Sequence, residues 1–172
     1  MSAEIVSAIA AVVSAIGGAF AAVAAFRSAD SARNAEQAAD EAERRSALRQ
    51  LVLTAKEVEV EGARGAVAAA AAVRSRRDLA TFSGGLGGSR EKLDVSALSV
   101  KAERAKEIEA EGKLFAVWPS SLATSPLEEI DRVATKLLAL RVEARAMRQD
   151  LESERADFER QNDTYRQKVV QG

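Results

Sequence analysis

Apolar positions fall into three patterns along this chain. From Ile5 to Phe26 the sequence IVSAIAAVVSAIGGAFAAVAAF carries no charge over 22 residues, long enough as a helix to cover about 33 Å against a bilayer core of about 30 Å. From 27 to 46 the regular small-residue line is Ala32, Ala35, Ala39 and Ala42, on an otherwise polar segment. Beyond it, Leu48, Leu51, Ala55, Val58, Gly62, Gly65, Ala69 and Ala72 keep the three-four spacing of a helix seam. The spacing returns in Leu98, Ala105, Ile108, Gly112 and Phe115. It returns again in Ile130, Val133, Leu137, Leu140, Ala144, Met147 and Leu151.

The breaks between these runs predict the elements. SGGLGGS at 83–89 ends a long first helix near Ala80 and makes a hairpin loop. A second helix is expected over 94–118, stopped by Pro119, because the residue before a proline avoids the helical region. In TSPLEEI, Ser125 is expected as N-cap, Pro126 at the first helical position and Glu128 in a capping box, opening a third helix. The fold class expected is all-α: an N-terminal single-pass membrane helix (1–26) continuing into an alanine-seam stalk (27–56). An antiparallel three-helix coiled coil (57–151) and a C-terminal helical tail (152–172) follow.

AKEVEVEG at 55–62 recurs as AKEIEAEG at 105–112, and residues 47–67 match 97–117 at ten of twenty-one positions. Two arms of one hairpin explain the repeat. With a bend at Leu86 and Gly87, facing residues have numbers adding to about 174, which sets Gly62 opposite Gly112 where missing side chains let backbones approach. The third helix is expected to start at the level of Glu57 and to cover the hairpin as far as Leu151. Its last twenty residues then overshoot by about 30 Å, which leaves Phe158 and Tyr165 as candidate partner contacts or as part of a frayed end. Trp118 is expected to pack the lower end of the bundle with Phe115 and Leu122.

Composition narrows the chemistry. The chain has no histidine and no cysteine, which removes the usual neutral-pH acid or base, thiolate nucleophiles and most zinc ligand sets. Glu57 and Glu61 share a helix face, as do Glu107 and Glu111, but no Glu-x-x-His spacing accompanies them; a solvated charged face is the expectation. The glycine loop lacks a P-loop lysine followed by Ser or Thr. Arg74, Arg76 and Arg77 read as a solvated helix end rather than a phosphate or lipid site. Lysine and arginine number 25 against 26 acids, so no global field marks the chain for nucleic acid. No catalytic residue, cofactor, metal or small-molecule substrate is expected.

The apolar run is read as an uncleaved anchor. Only Ser2, Ala3 and Glu4 follow the initial Met before it, without the basic residues of a secretory signal. Its Ile, Val and Phe residues supply roughly -3 to -5 kcal/mol on an insertion scale, against Gly17, Gly18, Ser7 and Ser14. Arg27 and Arg33 after the run favour a cytoplasmic C-terminal body. Ser14 with Gly18, and Gly17 with Ala21, are spaced for close packing of two anchors. The functional expectation is a membrane-anchored helical scaffold or adaptor acting by protein–protein contact with another copy or a helical partner. A small membrane-active protein, whose anchors oligomerise into a pore or lesion, is the alternative.

Overall fold

The computed structural model describes the backbone of residues 3–117 and 120–171 and the side chains of 25–117 and 121–168. Among these residues there are three α-helices and no strand: α1 (Ala3–Phe82), α2 (Ser89–Ala116) and α3 (Leu127–Gln171), with a single 3-10 turn at Ser120–Leu122. The chain divides into two compact units, 1–45 and 46–172. In the first, every described residue from Ala25 to Glu43 is exposed. The second is a helical bundle.

The bundle exists because each helix has an apolar seam that it buries against the other two. Leu48, Leu51, Ala55 and Val58 of α1, Ile108 of α2 and Ile130, Leu137, Leu140 and Ala144 of α3 form a lower core with Leu122. An upper core is smaller: Ala69, Ala72, Leu98 and Leu151, with Phe158 packed against it. At about 25 cal/mol per Å² of buried apolar area, alanines contribute far less than leucines, so the lower core carries most of the hydrophobic stabilisation.

The glycine loop closes α1 by a defined mechanism. The Gly85 amide donates to the Ala80 carbonyl at 2.9 Å and the Gly84 amide to that of Thr81 at 3.4 Å, with Gly84 at φ 70°. This is the Schellman pattern that satisfies the last helix carbonyls, and it needs a left-handed residue that glycine adopts without strain. Gly87 is also left-handed, at φ 77°, and its amide donates to the Glu91 carboxylate. That acid in the first turn of α2 thereby ties the loop to the helix it opens. Helix α2 starts at Ser89, five residues before the expected position. Helix α3 begins at Leu127, with the Pro126 carbonyl accepting from the Ile130 amide at 3.3 Å.

The tail does not overshoot. Helix α3 runs parallel to α1 with partners 84 to 87 residues apart: Glu57 with Arg141, Glu61 with Arg148, and Ser75 with both Glu159 and Asn162. The expected pairing of Leu127 with Glu57 is an offset of 70, so the third helix sits about two heptads lower along α1. Residues 152–166 therefore lie beside the upper part of α1, and Arg166 stacks over Phe82 with 4.7 Å between guanidinium carbon and ring centroid. The Trp118 expectation lies outside the described residues; Phe115 and Leu122 do pack on the lower core.

Candidate interaction surface

The repeated octapeptide brings the backbones of α1 and α2 into close contact. A Cβ placed on Gly62 would stand 2.6 Å from the Glu109 amide nitrogen and 2.9 Å from the Ala105 carbonyl oxygen. One on Gly112 would stand 2.5 Å from the Glu59 nitrogen and 2.9 Å from the Ala55 oxygen. The two contacts are the same contact. Ala55, Glu59 and Gly62 of α1 correspond, fifty residues on, to Ala105, Glu109 and Gly112 of α2, so each motif supplies the glycine for one crossing and the backbone bed for the other. The sequence repeat is thus a local two-fold exchange between antiparallel helices. Facing residues add to between 167 and 171 rather than 174, because the loop Ser83–Gly88 is centred nearer to Gly85 than to Gly87. Each glycine meets an alanine and a glutamate of the other arm, not the other glycine.

Charge is distributed along the seams. Glu61 is 7 % exposed and accepts from Arg148 at 3.0 Å, with Arg64 at 3.4 Å. It is therefore not part of the solvated face expected for the glutamates, because α3 passes directly over it; Glu57 remains exposed and pairs with Arg141. Arg76 likewise departs from the solvated helix end expected of it: 7 % exposed, it donates to Asp94 at 2.7 Å and lies 5.8 Å from the Phe158 ring centroid. Arg74 and Arg77 stay exposed. The α2–α3 contact is bridged by Lys101 with Glu154 at 2.8 Å and with Asp150, and by Arg104, which grips both oxygens of Glu143 at 2.7 and 3.0 Å.

The Arg104 hydrogen bonds hold the Glu143 carboxyl below its ordinary value of 4.5, against the opposing effect of partial burial. A lowered folded-state value contributes stability above the ordinary pKa and loses it as pH falls through the folded value. Both side chains are about two-fifths exposed, so the contribution is expected to be at most about 1 kcal/mol. Denaturant melts of Glu143→Gln should show that difference at neutral pH and lose it as pH falls through the lowered folded-state value.

Asn162 escapes the apolar spacing altogether. It is 6 % exposed, its amide donates to the Ser75 carbonyl at 3.2 Å, and its Oδ1 has no protein partner among the described residues. Removing a half-satisfied polar group while keeping its volume is often neutral or stabilising. Asn162→Leu is therefore expected to leave stability unchanged or raise it by about 1 kcal/mol, read by thermal melting. A weakened exclusivity of the α1–α3 register would show as a broadened amide spectrum.

Of the aromatics in the tail, Phe158 is half-buried against the upper core, whereas Tyr165 is 40 % exposed. Both line a polar cavity of about 200 Å³ with Arg76, Arg90 and Asp94. A second, apolar groove of about 490 Å³ lies between α1 and α3, floored by Ala63, Val67 and Ala71 and edged by Arg64, Arg148 and Arg155. Among the described residues no cluster of three or more acidic, histidine or cysteine side chains is placed to hold a metal. Nor is any helix there long and apolar enough to cross a membrane. The anchor-packing residues Ser14, Gly17, Gly18 and Ala21 lie outside the residues whose side chains are described. Comparison of the chain with protein-family models, curated proteins and solved structures finds no match.

Proposed function

We propose that this protein is a membrane-anchored helical scaffold whose bundle works by binding other helices, either a second copy or a helical partner. The observation that carries the reading is the join of a 22-residue uncharged run at 5–26 to a bundle whose cores are helix seams. In this account the run lodges in lipid as a single pass with the bundle on the cytoplasmic side, and the three helices 57–151 act as a coiled coil. The bundle still offers apolar side chains to solvent, Leu53, Val67, Leu93, Val100 and Val142 among them, each more than three-fifths exposed.

The test is fractionation of the full chain from cells, followed by alkaline carbonate washing. Retention in the pelleted membranes supports the anchor; recovery in the aqueous phase ends it. A membrane-active reading is separated by adding the purified chain to dye-loaded vesicles. Leakage that disappears in a Gly17→Leu, Gly18→Leu variant would replace the scaffold with a pore-forming protein.

A further inference from the structure

The outer face of α1, which runs along the edge of the α1–α3 groove, carries its own heptad. Leu53, Val60 and Val67 are seven residues apart and 62 %, 46 % and 67 % exposed, and Ala63 and Ala70 fill the intervening positions four from the end of each heptad. Core residues on the same helix occupy the other side, as the full burial of Leu51, Ala55 and Val58 requires. A solvent face of a single helix has no reason to keep a three-four apolar spacing. In the sequence the same heptad positions hold Ala32, Ala35, Ala39 and Ala42, all exposed, and depart from small or apolar residues only at Arg49 and Lys56 before Arg74 ends the line.

We propose that a second copy of this chain docks in parallel along this outer face, α1 against α1. Charge suits a second copy in the parallel direction. With Leu53, Val60 and Val67 at the first core position of each heptad, parallel pairing sets each residue just before that position beside the one five further on in the other copy. Glu59 of one copy then meets Arg64 of the other, and the remaining pairs, Arg45 with Gln50, Val52 with Glu57 and Ala66 with Ala71, bring no like charges together. Arg64 is available for this: its side chain is 62 % exposed and its contact with Glu61 is a long 3.4 Å. Small side chains at Ala63 and Ala70 let the two helices approach closely, and the two-fold arrangement uses one patch on both copies. This association does not depend on the membrane anchor.

The chain has no native cysteine, so single cysteines report the pairing cleanly. In full-length protein, in detergent micelles or lipid vesicles, Leu53→Cys and Val67→Cys are each expected to form disulfide-linked dimers on mild oxidation, and Leu93→Cys, equally exposed on α2, to remain monomeric. An antiparallel pair cannot bring both residue 53 and residue 67 within the few ångströms a disulfide spans. Wild-type chain should have the mass of a dimer by light scattering corrected for detergent, and Val60→Glu with Val67→Glu the mass of a monomer at unchanged helix content. Crosslinking at only one of the two sites, equal crosslinking at Leu93, or a monomeric wild type would overturn the proposal.

Discussion

Gly112→Ala is expected to lower the stability of the bundle by about 1–3 kcal/mol, and Gly112→Leu by more. Ordinary helix propensity points the other way, since alanine is better than glycine by about 1 kcal/mol in a helix interior. The sign is decided by what the new methyl would meet. At Gly112 it meets the Glu59 nitrogen at 2.5 Å and the Ala55 oxygen at 2.9 Å, atoms of a rigid backbone that cannot turn aside as a side chain does. The helices must separate, and Val58 and Ile108 lose contact with them. Gly62→Ala should cost a similar amount by the exchange symmetry of the motif. Gly65 provides the control: a methyl there meets only the Ala105 Cβ, at 3.2 Å, so propensity and crowding nearly offset and Gly65→Ala should be close to neutral. Thermal or urea unfolding of the three alanine variants checks the order. A Gly112→Ala protein as stable as Gly65→Ala would remove the close-approach explanation.

Deleting residues 1–26 is expected to move the protein from the membrane pellet to the soluble fraction without loss of the bundle. The described residues of α1 begin their burial near Ala47 and Leu48, and the described members of the two cores all lie at or beyond Ala47. Circular dichroism of the truncated chain should show a highly helical protein with a single cooperative melt. A truncated chain that still pellets with membranes would place the lipid contact elsewhere; one that loses its helices would make the N-terminal run part of the folded core.

Much of this architecture is legible as spacing. The residues that build the lower core, Leu48 through Val58 and Ile130 through Ala144, are those the heptad pattern picks out, and the fifty-residue repeat points to the two glycines that the structure sets against opposing backbone. What spacing leaves open is register. A heptad seam presents an equivalent face after every seven residues, so sliding α3 by two heptads along α1 keeps apolar residues facing apolar residues. The choice between offsets of 70 and about 85 falls to polar partners that periodicity does not encode: Glu61 with Arg148, and Asn162 with the Ser75 carbonyl. The same blindness hides Glu61, Arg76 and Asn162 as buried residues. The burial of Glu61 and Asn162, both off the line of apolar positions, follows from where α3 lies, whereas Arg76 stands on that line, four residues after Ala72 and three before the buried Leu79, and its charge alone hid it. A signal was present in part, since Asn162 stands one residue after Gln161, where the expected seam has already lost its apolar side chain.

The reciprocal glycine crossing is the claim on which the bundle depends, and its most direct test is a distance. Spin labels at Lys56 and Lys113, both exposed, flank the crossing on opposite arms, and the labelled chain can be diluted in unlabelled protein to suppress contacts between copies. Pulsed dipolar spectroscopy is expected to return one narrow, short distance, set by an axis separation of about 8–10 Å or less plus the two label linkers. A long or broad distribution would mean that the two motifs do not meet.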